Sequence, residues 1–190
     1  MFLINELITL LVANLILSQA LGISTIFIAA GSKKNLIGTA CVITLFTTVG
    51  SAAAYAVDSM LPYDMKDLRL LLYTLVTGAM YVLLLTAAYL LCRGKYTDFR
   101  KYIHVSAFNC AVMGTLFTIN ERAVMDSSLF TLSEYVSAGF EAGIGFIIAA
   151  LILTAAYRKL NLSKVPASFR GFPAMLVYLG IISMAVYSLK

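Results

Sequence analysis

Few side chains in this sequence are equipped for chemistry, and most of those lie inside apolar runs. Cys41, Cys92 and Cys110 are its three cysteines. Each falls inside or at the edge of an uncharged stretch, and none stands in a Cys-x-x-Cys pair, so neither a zinc site nor a disulfide framework is indicated. Glu141 sits among Gly139, Gly143 and Gly145 in the run from Tyr135 to Tyr157. An ionisable residue within a membrane span is a functional candidate by default, here for an ion path. Its place seven residues after Glu134 also fits a wet position near the membrane surface. His104, beside Lys101 and Tyr102, reads as an interfacial histidine, and the Gly139/Gly143 pair fits close helix packing with no chemistry required. Two runs are interrupted by small and polar residues: Asn14, Gln19, Gly22 and Ser24 in the first, Asn109, Cys110 and Gly114 in the fourth. Interruptions at corresponding places point to a site near the membrane midplane, or they serve only to let helices approach.

The elements that must position these residues are set by the distribution of charge. Of 190 residues, 61% are hydrophobic and 12% charged, about half the charged share of a soluble domain. Lipid is therefore the solvent for most of the surface, and the net charge of +5 reads as a topology signal, not as a nucleic-acid footprint. Uncharged runs of 19 to 26 residues lie at 7–32, 35–57, 70–92, 102–120 and 171–189, and the run 135–157 is broken only by Glu141. A helix needs about 20 apolar residues to cross the hydrocarbon core, and continuous rather than alternating apolarity excludes a barrel. The expected fold is a single all-α polytopic membrane domain over 1–190, with six transmembrane helices near 7–31, 35–57, 70–92, 102–120, 135–157 and 172–189.

Charge sign fixes the orientation. Ten of the fourteen basic residues fall in the 1–2, 3–4 and 5–6 connections (Lys33, Lys34; Arg93, Lys95, Arg100, Lys101; Arg158, Lys159, Lys164, Arg170), against one acid, Asp98. Acid-leaning clusters (Asp58, Asp64, Asp67; Glu121, Asp126, Glu134) occupy the alternate loops. Basic loops stay in the cytoplasm, so both termini face outward. With no basic residue before Lys33, the amino terminus is expected to be a retained span and not a cleaved signal. Pro62 and the Pro166–Pro173 segment mark turns. Three helices per half, the second half starting from the opposite side, make two inverted three-helix repeats with helices 1 and 4 interrupted.

Several segments resemble one family. Ala13-Asn14, Leu21-Gly22-Ile23 and Gly31-Ser32-Lys33-Lys34 resemble the first helix of the A subunit of the Rnf complex. Asn109-Cys110-Ala111-Val112-Met113-Gly114 with Ile119-Asn120-Glu121 is similar to its fourth helix, and Val165-Pro166-Ala167-Ser168-Phe169-Arg170-Gly171 to its VPxxFRG signature. The family includes the A and E subunits of the ion-translocating ferredoxin:NAD oxidoreductase and the D and E subunits of the sodium-translocating NADH:quinone reductase. The resemblance implies a bacterial or archaeal plasma-membrane subunit that pairs with a homologous E-type six-helix subunit of opposite orientation. It also implies further partners bearing flavin and iron–sulfur centres, and no nucleic acid. A [2Fe-2S] cluster at the dimer axis would take one cysteine from helix 1 and one from helix 4 of each subunit. Electrons would pass through it across the membrane, coupled to Na⁺ or H⁺ movement, and the chain would be a non-autonomous part of that enzyme.

The match is divergent. Cys110 stands at the fourth-helix ligand, but Ser24 occupies the position of the family's other cysteine. Apolar Val82 and Leu85 replace the family's Gln and Glu in helix 3, and Glu141 replaces a small residue. Two readings from other classes therefore stand beside the first: a redox-silent scaffold or ion-path paralogue without the cluster, and a small-molecule transporter of inverted-repeat architecture. The topology has a direct check: reporter fusions after Lys34, Arg100 and Lys164 should all score cytoplasmic, and an external signal at any one would overturn the span count.

Overall fold

The computed structural model of the chain describes residues 14–29, 33–61, 65–91, 96–126, 130–160 and 166–188. Regular structure among them is helical throughout: α1 (Leu15–Gln19), α2 (Ile23–Ala29), α3 (Lys33–Met60), α4 (Lys66–Leu91), α5 (Tyr96–Ala107), α6 (Cys110–Met125), α7 (Leu132–Leu160) and α8 (Phe172–Tyr187), with one 3-10 turn at Ala167–Phe169. In lipid a helix satisfies every backbone donor within its own segment. The fold is a polytopic all-α membrane protein. By length and apolarity α3, α4 and α7 can each cross a bilayer, and α5 with α6, bent by 47° at their break, is long and apolar enough to be a fourth, broken span or a re-entrant loop. The apolar α8 has 16 residues, about 24 Å at the helical rise. Residues 7–13 of the expected first span, Pro62 and Cys92 lie outside the described residues.

The helices overrun the charged residues that the sequence places at span ends. α3 continues through Asp58 to Met60, and α4 begins at Lys66, ahead of Arg69. Asp58 and Arg69, expected at or beyond the membrane boundary, are instead buried at 6% and 7% exposure. The reason is tertiary: polar partners from other helices replace water around them, as described below.

α3 is the central element, in contact with α4, α5, α6 and α7, most extensively with α7. The α3–α7 seam is antiparallel and close because glycines line it. A Cβ on Gly143 would lie 2.5 Å from Thr44 Cγ2 and 2.8 Å from Thr44 Cα, and one on Gly139 would collide with Ser51 Oγ and the Thr47 carbonyl. The glycine pair does the packing that its spacing suggests. Threonine hydroxyls within the bundle turn back to their own helix: Thr44 to the Ala40 carbonyl, Thr77 to Tyr73 and Thr115 to Ala111, at 2.7–2.9 Å. These three add no unsatisfied polar atom to a dry interior, whereas the buried Thr154 Oγ1 has no hydrogen-bond partner.

Two apolar clusters fill the bundle. The larger, around the helix interruptions, includes Ile16, Ile26, Ile43, Phe46, Val112, Phe146, Leu153 and Met175. The smaller, toward the end bearing the acidic loops, joins Ala54, Tyr73, Leu116, Ile119, Ala123 and Tyr135. Tyr55 stacks edge-on with Tyr135 at 5.5 Å and lies 5.3 Å from Phe130. Seam and open helix surface should answer differently to the same substitution. Gly143→Ala should lose about 1–3 kcal/mol through overpacking. Gly78→Ala, where a Cβ meets nothing within 4 Å, should gain about 0.5–1 kcal/mol from helix propensity. Thermal unfolding of the two variants in detergent checks the contrast.

Candidate functional site

The two interrupted helices meet at their breaks. Between α1 and α2 the chain turns through Ala20 (φ 61°) and Gly22 (φ 83°). The left-handed backbone costs a non-glycine residue such as Ala20 roughly 1–2 kcal/mol, so surrounding contacts must hold it. Gly22 is the point of closest approach. A Cβ there would lie 3.0 Å from Ala111 Cβ, 3.0 Å from Asn109 Oδ1 and 3.2 Å from the Phe146 ring. Between α5 and α6, Asn109 leaves helical geometry (φ −77°, ψ 135°) and caps α6, its Oδ1 accepting from Ala111 N–H at 3.0 Å. Asn14 does the same for α1, its Oδ1 accepting from Ile16 N–H at 3.0 Å while its Nδ2 donates to the Gly145 carbonyl at 2.6 Å. Each asparagine thus satisfies a donor that a helix start leaves open. A water-sized cavity of about 10 Å³ lies between the starts of α1 and α6, against Asn14, Thr47, Ala111, Thr115, Ala142 and Phe146.

The junction gathers both sequence-predicted donor positions. Cys110 is the first residue of α6, lies between the two residues that Gly22 touches, and is a free, exposed thiol. Ser24 follows Gly22 by two residues, in the first turn of α2, and is also exposed. Asn109 Nδ2, next to Cys110 in sequence, is buried and has no hydrogen-bond partner. Among the described residues no group of three or more His, Cys, Asp or Glu side chains could hold a metal, so this chain offers at most part of a ligand set. Cys41 is exposed on α3 in an apolar groove of about 60 Å³ with Leu36, Ile147 and Leu151. Glu141 is exposed on α7, one turn from Gly145. His104 is exposed on α5, with Arg100 Nε donating to its Nε2 at 2.9 Å and Tyr81 Oη 2.6 Å from its Nδ1.

A second polar constellation escapes a reading of the sequence. At the acidic end Asp58 accepts from Tyr73 Oη (2.7 and 2.8 Å), Asn120 Nδ2 (2.8 Å) and Tyr135 Oη (2.9 Å). Arg69 donates from Nη1 to Asn120 Oδ1 at 3.1 Å, and its Nε lies 3.6 Å from Asp58 Oδ1. Four residues from α4, α6 and α7 close around the one carboxylate of α3. The signal that could have found it is the pairing of Asp58 and Arg69 across the short turn near Pro62, which makes them neighbours on antiparallel helices, together with Asn120, an amide inside an apolar run.

Comparison with known proteins agrees with this architecture. The family described as Rnf-Nqr subunit, membrane protein, matches residues 4–190. Three similar proteins each bear the name of the A subunit of an ion-translocating oxidoreductase complex. The one from Rhodobacter capsulatus is 30% identical over 186 residues, covering 97% of this chain and 93% of the relative. That from Aromatoleum aromaticum is 27% identical over 184 residues (96% and 92%), and that from Shewanella loihica 26% over 181 (93% and 90%).

The Asp58 network yields graded stability effects. Asp58→Asn leaves the buried Arg69 uncompensated and should cost about 3–5 kcal/mol. Tyr135→Phe removes one hydrogen bond to a charged group, about 1.5–3 kcal/mol. Adding Arg69→Met to Asp58→Asn should recover part of the loss, since no lone charge then remains buried. Thermal unfolding in detergent ranks the three variants.

Proposed function

The chain belongs to the Rnf-Nqr family, and on that premise we propose that it is a membrane subunit of an Rnf-like ion-translocating electron-transport complex. The observation that carries this reading is the contact between the two helix breaks, with Gly22 seated on Asn109 and Ala111 and the Cys110 thiol exposed between them. In this reading α1 with α2 belongs to the first of six spans and the apolar α8 is the last, in two inverted repeats, with both termini outside in a bacterial or archaeal plasma membrane. A homologous E-type subunit of opposite orientation faces the break junction, and flavin- and iron–sulfur-bearing subunits lie on either side.

Cys110 fits a [2Fe-2S] group shared with that partner. Its thiol is exposed at a helix start, and beside it stands a buried amide donor, Asn109 Nδ2, free to bond an anionic sulfur. Ser24 does not fit, because such clusters are held by thiolates or, in one class, by imidazoles. This chain would therefore supply one thiolate, and the group when bound would relay single electrons. What the chain itself does is hold Cys110 in place: Asn109 caps α6, Gly22 allows α2 to close on it, and Phe146 fills the far side of the contact. An ion route using Glu141 would run along the face of α7 and not through the bundle, because that side chain is exposed.

The serine at position 24 favours a second reading, a subunit that keeps the fold and the assembly role but carries no cluster. Iron and acid-labile sulfide analysis of the purified complex, with its EPR spectrum, separates the two. Cys110→Ala should abolish the cluster signal and electron transfer, and Ser24→Cys should shift the reduction potential, since ligand identity tunes it. A Cys110→Ala complex with unchanged iron content and ion transport would establish the redox-silent reading.

A further inference from the structure

We propose that the polar stripe of α7 that ends at Glu141 is a docking surface for a transmembrane helix of another subunit, one that sets a lysine or arginine against the Glu141 carboxylate. The proposal rests on the multi-subunit reading above and adds to it a face, a depth and a chemistry.

Ser133, Ser137 and Glu141 follow one another at four-residue steps, which places them on one face of α7, and all three are exposed, as is Glu134 beside them. The stripe runs well into the membrane. The Gly145 carbonyl bonds Asn14 at the level of the helix breaks, and Glu141 lies one turn away, about 6 Å along the axis. Among the described residues nothing bonds its carboxylate. Phe140, beside it on the helix, is apolar and 52% exposed.

Other exposed faces of the same chain show what a lipid-covered surface looks like here. On α4 the exposed residues include Leu71, Leu75, Val82, Leu83 and Leu90, with no charge from Leu70 to Leu91. The hydroxyls on that face, Thr74 and Thr86, bond carbonyls of their own helix, as Ser137 of α7 bonds the Glu134 carbonyl, so the carboxylate is what sets the α7 face apart. The exposed face of α8 is likewise apolar at Val177, Ile181 and Met184. Among the described residues, α7 carries an unpaired, exposed carboxylate one turn from the level of the breaks, whereas the exposed Glu121 of α6 lies one turn from that helix's end. Intramembrane carboxylates are paired or face water-filled space, because hydrocarbon leaves the charge unsolvated. Protein therefore covers this stripe, and a cation restores neutrality through a charge-assisted hydrogen bond.

The test uses the complex as assembled in its native membrane. With p-benzoylphenylalanine in place of Phe140, photolysis should join this chain to a membrane span of another subunit, within one helical turn of a Lys or Arg. Separately, Glu141→Gln should lower recovery of that subunit with the tagged chain about tenfold or more. Glu141→Lys should do the same, with recovery restored when the partner's basic residue is changed to Glu. Adducts with lipid alone, or with a second copy of this chain, overturn the proposal. So does wild-type recovery of the partner by Glu141→Gln, whether or not ion transport is then lost. If the unaltered chain recovers none of the other subunits, the failure lies with the multi-subunit reading itself.

Discussion

Two helices stop in mid-bundle, and each must dispose of the backbone donors that its break exposes. In water the solvent would take them; in a lipid-facing bundle only the protein can. Asn109 answers this locally at the α5–α6 break by accepting from the Ala111 amide, and Asn14 does the same for Ile16 at the start of α1, ahead of the Ala20–Gly22 turn. The answer holds only while the breaks stay covered, and the cover is their contact with one another. Gly22 makes it possible because any side chain there would strike Asn109, Ala111 or Phe146. The approach of α7, whose Gly145 takes the Asn14 amide and whose Phe146 abuts Gly22, follows from the same requirement. The glycines at 139 and 143 that bring α7 onto α3 therefore serve the junction as much as the seam.

A second constraint acts at the acidic end. Removing Asp58 and Arg69 from water costs more than their attraction returns unless their remaining polar atoms are bonded. Tyr73, Asn120 and Tyr135 provide those bonds to the carboxylate and Asn120 accepts from Arg69 Nη1, while the buried Arg69 Nε has only its 3.6 Å ion pair with Asp58. Because the network draws on four helices, it fixes where α3, α4, α6 and α7 stand at that end. α6 is held at both ends, by Asn120 in the network and by Asn109 at the break, and so the position of Cys110 is tied to both.

The junction is built to present groups outward and not to enclose them. Ser24 and Cys110 are both exposed beside a contact that is itself buried, and the cavity between the starts of α1 and α6 holds about one water. A pocket for a small substrate would look different: larger, closed and lined by convergent donors. An exposed thiol beside a buried break belongs with a site that a neighbouring subunit completes, in keeping with relatives named as subunits of a complex.

Composition and charge spacing determined that this chain is an all-helical membrane protein, where its long apolar helices lie, and which helices are interrupted. These are properties of segments, set by transfer of apolar side chains into lipid, and each can be read from one stretch of sequence. The donor candidates Cys110 and Ser24 were legible for a different reason: they stand inside local motifs. What only the tertiary structure decided is which segments meet. That Gly22 rests on Asn109 depends on 86 residues of intervening chain folding back. That Asp58 is a buried hub and not a loop residue depends on Asn120 and Tyr135 arriving from other helices. A charge near a span end looks alike in sequence whether water or protein surrounds it, and the difference lies in partners that local spacing cannot name.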